Sequence, residues 1–382
     1  DLEPSDKLDV VNLSLGSSYG KPYILYSKAS QNLVRAGVSM VASAGNSGHN
    51  DYITGAPATS DEALSVAASV DGMEHNYKFP AVLFSLGSES LLVEAVEASF
   101  STLLENIPAL EGEIVYAGDA ASDFDQQTKD SLKGKVALID RGKVSFSEKM
   151  KRAIDAGAIA MIVANNQAGD PFGMGGGTEG EFAAPAIMVS KEVGDKIKEQ
   201  LKAGLASVNF KTPDKIIKPE LIDTLTSFSS KGPRSYDSAF KPEISAPGSN
   251  VISAAFGKGN KGTKMSGTSM AGPHMAGVMA LLVERYPHLN ALELKNIAMS
   301  RAVSITDKNK VIYPLTQQGA GRVDAYRAAT ATLLANTSAL SLGNQTIDKF
   351  KTLKRYVSVK NLSDREEEFK VVLETTHGEV EL

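Results

Sequence analysis

Two short segments carry residue types that could act together in acyl-transfer chemistry. The first is Lys264-Met265-Ser266-Gly267-Thr268-Ser269-Met270-Ala271-Gly272-Pro273-His274-Met275-Ala276-Gly277. Its small residues let the backbone turn tightly before an apolar helical run. Pro273 is expected in the first turn of that helix, where a missing N–H costs nothing. Ser269 then sits at a helix N-terminus, where backbone donors and the helix dipole favour developing negative charge. A serine nucleophile needs that help for its oxyanion, and a base to take its proton. For a bare Gly-Thr-Ser the plainer reading is a turn with Ser269 as an ordinary N-cap. The second segment is Ala42-Ser43-Ala44-Gly45-Asn46, a strand closing on Gly-Asn. Asn tolerates left-handed dihedrals, so a simple turn is the plainer reading there too. The chemical reading is a side-chain amide that donates to the same oxyanion.

The flanking elements imply how such residues would be held. Residues 8–72 alternate short apolar strands with helical patterns. Leu8 to Gly16 reads as a buried strand, Ile24 to Ala36 as a helix stopped by Gly37, and Val38 to Ala44 as the next strand. Strand, helix, strand predicts a parallel sheet with a right-handed crossover, with its active edge beyond the strand carboxyl ends. From about 90 to 215 the pattern changes. Strands are predicted at 111–118, 135–140, 158–164 and 185–189, with helices at 146–156 and 191–203, and a glycine run begins at Gly173. The first pattern resumes near Thr226 and runs to about Leu334. Beyond Ser338, Arg355–Lys360 and Glu368–Leu373 alternate as strands.

Bulk composition excludes several classes of function. The chain has 382 residues, net charge −5 and no cysteine, so disulfides, thiolate metal sites and a cysteine nucleophile are ruled out. There is no basic stripe to hold a phosphate backbone, and nucleic acid is not an expected partner. The longest apolar stretch, Met275 to Val283, is about half of the roughly 20 residues that a spanning helix needs.

The segment around Ser269 resembles the Gly-Thr-Ser-Met-Ala-x-Pro-His nucleophile motif of the subtilisin-like serine proteases at every motif position. Further segments match that family in order. Val11-Asn12-Leu13-Ser14-Leu15-Gly16 resembles the strand that pairs with bound peptide, and Ala42 to Asn46 resembles the opposite pocket wall. Phe228 to Pro233, Lys241 to Gly248 and Gly319 to Ala325 resemble later family segments. The resemblance implies an α/β fold, a parallel sheet with helices on both faces. It implies Ser269 as nucleophile and Asn46 in the oxyanion hole, with Ser14, Leu15, Gly16, Ala42, Ser43, Ala44 and Gly45 binding substrate. It also implies protein or peptide substrates, a secreted or cell-surface location and no cofactor. The loops that hold structural calcium in that family find no match in this sequence.

Domain bounds expected from the resemblance are 1–89 and 218–336 for the catalytic domain and 90–217 for an inserted, protease-associated-type α/β domain. Residues 337–382 would begin a C-terminal β-sandwich of fibronectin-type-III-like kind. The family's triad runs Asp, His, Ser along the chain. Neither an Asp-Ser/Thr-Gly nor a His-Gly-Thr-His segment occurs here, so both partners are expected upstream of Asp1. His274 lies five residues beyond Ser269, about 140° around a helix, and is no substitute. The chain alone is therefore expected to be nearly inert. A non-catalytic peptide-binding or scaffold protein of the same fold is the competing reading.

Overall fold

The structure is a computed structural model, and residues 7–176, 181–257, 259–343, 352 and 354–372 are described. In chain order the first elements are β1 (Val10–Leu13), α1 (Leu25–Arg35), β2 (Ser39–Ser43) and β3 (Leu64–Ser69). There follow β4 (Lys78–Leu86), β5 (Glu89–Glu94), β6 (Val96–Glu97), β7 (Glu111–Tyr116), α2 (Gln126–Leu132), β8 (Val136–Asp140), α3 (Phe146–Asp155), β9 (Ala160–Ala164), β10 (Ala186–Val189), α4 (Lys191–Ala203), β11 (Ala206–Asn209) and β12 (Lys215–Ile217). The last stretch holds β13 (Ile244–Pro247), β14 (Val251–Ala254), β15 (Gly262–Met265), α5 (Thr268–Arg285) and α6 (Ala291–Ser300). The chain divides into two compact units. The first comprises Asp1–Val70, Asp223–Gly248 and Gly267–Leu382, and the second Asp71–Ile222 and Ser249–Ser266.

The first unit is built on a four-stranded, all-parallel sheet in the order β1-β2-β3-β13. Every residue of β2 and β3 is buried, as expected for strands covered on both faces. α1 is the crossover between β1 and β2 and stops where Gly37 takes φ +89°. α5 lies across all four strands. Its close approach depends on Gly272, where a Cβ would stand 2.6 Å from Asn12 Oδ1.

Pro273 does not fall in the first turn. α5 starts at Thr268, so Pro273 is its sixth residue. There its missing N–H leaves the Ser269 carbonyl without an intrahelical donor. The Ser14 hydroxyl donates to that carbonyl instead, at 2.8 Å.

The second unit carries a nine-stranded mixed sheet, β12-β4-β11-β7-β8-β9-β10-β6, with β5 paired to β4. β7, β8, β9 and β10 are parallel, and Phe84, Leu138, Ile162, Ile187 and Phe210 lie in one apolar cluster on this sheet. The unit begins at Asp71 and also takes in the β14–β15 hairpin. β4 belongs to it because β4 pairs with β11 and β12, more than a hundred residues later in the chain. A local pattern of apolar residues cannot reveal such a pairing.

At the C-terminal end, Leu333–Ala335 pairs antiparallel with Val359–Asn361. The strand expected at Arg355–Lys360 thus shrinks to its last residues. Residues 368–372 of the Glu368–Leu373 run form no strand, and Leu373 lies outside the described residues. Phe369, Val371 and Val372 stay exposed, so the alternation has no second layer to bury its apolar side against. No β-sandwich forms among the described residues.

Candidate active site

Ser269 is the second residue of α5 and is half-buried. Among the described residues its hydroxyl makes one, long hydrogen bond, donated to Ser14 O at 3.5 Å. Ser14 is in turn held by Asn12, whose Nδ2 donates to Ser14 Oγ at 2.9 Å. Ser14, the residue after β1, therefore contacts both the hydroxyl and the carbonyl of Ser269.

Asn46 follows the carboxyl end of β2. Its Oδ1 accepts from the Thr268 N–H and from Thr268 Oγ1, both at 2.9 Å. The atom facing a backbone N–H must be the oxygen, so these bonds define which way the amide points and turn Nδ2 to the other side. Two more bonds seat the turn against β2: Gly45 N donates to Thr268 Oγ1 at 3.2 Å, and Ser43 Oγ to Thr268 O at 3.0 Å.

Gly267 holds the geometry together. It takes φ +156°, ψ +158°, and its N–H donates to Gly248 O at 2.8 Å. A Cβ added there would lie 3.4 Å from Asn46 Nδ2 and 3.5 Å from Ser269 N. The space that glycine leaves open is flanked by two N–H donors, one from a side chain and one from a helix N-terminus. Such an arrangement can hold an oxyanion.

Leu15, Gly16, Ser43, Gly45, Asn46 and Ser269 all line one open cavity of about 140 Å³. Ser14 touches Ser269 directly. Ala42 and Ala44, expected in the pocket wall, are fully buried. Ala42 packs with Val34, Met40 and Ala58, because a strand covered on both faces turns these small side chains into the sheet's own packing. Ser17, Ser18, Ser47 and Gly55 line the cavity as well and were missed. The one sequence signal they offer is their clustering in Gly- and Ser-rich turns.

Among the described residues the Ser269 hydroxyl bonds Ser14 O and no histidine. His49 Nε2 bonds Thr226 O at 3.1 Å, and His75 Nε2 bonds Asn250 O at 2.9 Å within the second unit. His377 lies outside the described residues. Among them there is also no group of three or more His, Asp or Glu that could hold a metal, and no helix long and apolar enough to cross a membrane.

A serine and an asparagine amide meeting at the carboxyl ends of a parallel α/β sheet are features of a hydrolase class rather than of one protein. Residues 2–321 match the Subtilase family. The chain is 34% identical over 348 residues to the minor extracellular protease Vpr of Bacillus subtilis, covering 88% of this chain and 40% of that protein. It is 30% identical over 397 residues to the C5a peptidase of Streptococcus pyogenes serotype M3, covering 94% of this chain and 32% of that protein. Among solved structures, it is similar to the psychrophilic subtilisin-like protease Apa1 of Pseudoalteromonas sp. AS-11 at 17% identity and TM-score 0.32, covering 84% of this chain and 69% of that one. This chain belongs to the subtilase family. It spans 40% and 32% of the length of these two curated relatives.

Proposed function

We propose that this chain forms most of the catalytic domain of a serine endopeptidase that cleaves extracellular proteins through an acyl-enzyme. Ser269 Oγ would attack the scissile carbonyl, and the carbonyl oxygen would move between Asn46 Nδ2 and the Ser269 N–H as it gains charge. The convergence of those two donors on the open space at Gly267 carries the reading. The N-terminus of α5 adds a favourable dipole. An extended peptide would run along Ser14–Gly16 on one side and Ser43–Asn46 on the other, with one uncharged side chain in the cavity between them. The proton of Ser269 needs a base and an orienting carboxylate, and we assign both to residues outside this chain. Residues 90–217 are read as a protease-associated-type domain that restricts access to the cleft or engages protein substrate, and residues 337–382 as the start of a fibronectin-type-III-like domain. Family membership and a relative whose name carries the word extracellular support secretion or surface display.

The competing reading, a non-catalytic peptide-binding protein of this fold, has one observation in its favour: Ser269 lacks a histidine partner among the described residues. Fluorophosphonate labelling of the polypeptide that includes the preceding coding sequence decides between them. Labelling at Ser269, lost in Ser269→Ala, is the expected result, and the 382-residue chain alone should show no turnover. An unlabelled longer polypeptide would favour the scaffold.

A further inference from the structure

The excursion 249–266 leaves the first unit just before the nucleophile turn and belongs to the second. Its two ends are tied to each other. The Asn250 N–H donates to Ser266 Oγ at 2.8 Å, and Ser266 Oγ returns a long bond to Asn250 Oδ1 at 3.4 Å. Asn250 is buried and takes φ +48°, a left-handed conformation that Asn tolerates better than most residues.

The inserted unit braces this clamp from two sides. His75 Nε2 must carry a hydrogen, because it donates to the Asn250 carbonyl at 2.9 Å. The glycine run supplies the second brace. A Cβ at Gly173 would fall 1.7 Å from Asn250 Oδ1, and one at Gly175 would fall 2.9 Å from Met265 Cε. At Gly173 the bare backbone lies directly against the buried Asn250 side chain, where any Cβ would displace it.

Ser266 stands three residues before Ser269, separated only by Gly267 and Thr268. We infer that the Asn250–Ser266 clamp, braced by His75 and Gly173, is a positioning device for Ser269. Through it the chain segment that ends at Ser266 sets the reactivity of the nucleophile that follows it. The inference rests on Ser269 being the nucleophile. Reaction geometry is unforgiving: a displacement of about 1 Å can cost about 100-fold in rate.

The test uses the longer polypeptide, at temperatures where circular dichroism shows every variant folded. Ser266→Ala removes the acceptor of the Asn250 N–H without adding bulk. Its kcat and its rate of fluorophosphonate labelling should fall together by about 10-fold, with KM unchanged. Ser266→Thr, which keeps the hydroxyl, should retain both rates. His75→Ala should slow labelling too, and His75→Gln, whose amide can donate to the same carbonyl, should restore it. Should Ser266→Ala not fold, the His75 pair carries the test alone. Parental labelling rates in Ser266→Ala and His75→Ala would overturn the inference. Labelling that survives Ser269→Ala would instead refute the nucleophile on which it rests.

Discussion

The two parallel arrays of this chain are made from different materials. In the first unit, β2 and β3 read Ser-Met-Val-Ala-Ser and Leu-Ser-Val-Ala-Ala-Ser. In the second, β8, β9 and β10 read Val-Ala-Leu-Ile-Asp, Ala-Met-Ile-Val-Ala and Ala-Ile-Met-Val. The aliphatic array fills its interior with large side chains, which is how a core gains stability per residue. The small-residue array gives up that volume and also buries the hydroxyls of Ser65, Ser69 and Ser245 without a partner among the described residues. Each such group costs stability. In return α5 can lie close enough to β1 for Asn12 and Ser14 to reach its first turns. One array is arranged for cohesion, the other to bring a helix end to a strand end.

The largest effect expected on this contrast is catalytic. Asn46→Asp keeps an Oδ1 to accept from Thr268 but replaces the donating NH2 with an oxygen. In the longer polypeptide it should lower kcat by about 10²–10³-fold, the size such a donor has in subtilisin, itself a member of this family. A value near parental would remove Asn46 from the site. Next come paired substitutions, one in each array. Ile162→Ala in β9 opens a cavity in the fully buried aliphatic cluster and should cost about 2–5 kcal/mol in denaturant unfolding, with labelling of the folded fraction unchanged. Gly272→Ala adds a Cβ 2.6 Å from Asn12 Oδ1 and should cost about 1–3 kcal/mol, with labelling slowed even where the protein is folded. If the two variants behave alike, the contrast between cohesion and positioning fails.

A last effect concerns charge, which the first unit buries in its interior. Lys241 Nζ donates to Ser60 O at 2.6 Å, Ala63 O at 2.9 Å and Glu243 Oε2 at 3.1 Å. Lys295 Nζ reaches Glu243 Oε1 at 2.7 Å, so two ammonium groups share one carboxylate. Burial pushes Lys241 down to about 7, against the pull of Glu243. The folded chain then gives up this proton before the unfolded chain does. Stability should rise with pH from about 7 towards the ordinary lysine value, by at most about 1.4 kcal/mol per pH unit. Unfolding midpoints at pH 7 and 9 measure the slope, and Lys241→Met should flatten it.

Much of the first unit was legible because its signals are contiguous. Gly37 ends α1, and Gly267-Thr268-Ser269 opens α5 within a few residues of the apolar run that makes the helix. Within the inserted region, α4 runs over Lys191–Ala203 as its pattern predicts, and Ser190 caps it by accepting from the Val193 N–H. The sequence reading failed where partners were distant. β4 lies in the region assigned to the catalytic domain but pairs with β11 and β12, and Ala42 and Ala44 turn into the packing instead of lining the cavity. Pro273 was misplaced for a local reason, since the helix begins earlier than proline's preference for a first turn suggests.

By itself, the sequence determined the turn that opens α5 at Ser269, the order of strands and helices around it and the family to which they belong, because turn chemistry and hydrophobic period are written within a few residues. Tertiary structure decided the rest. The Asn46 amide is oriented by a backbone N–H 222 residues away, and the hairpin 249–266 is claimed by the inserted unit through Asn250, His75 and Gly173. These contacts depend on the register in which remote segments meet, and no run of neighbouring residues encodes that register.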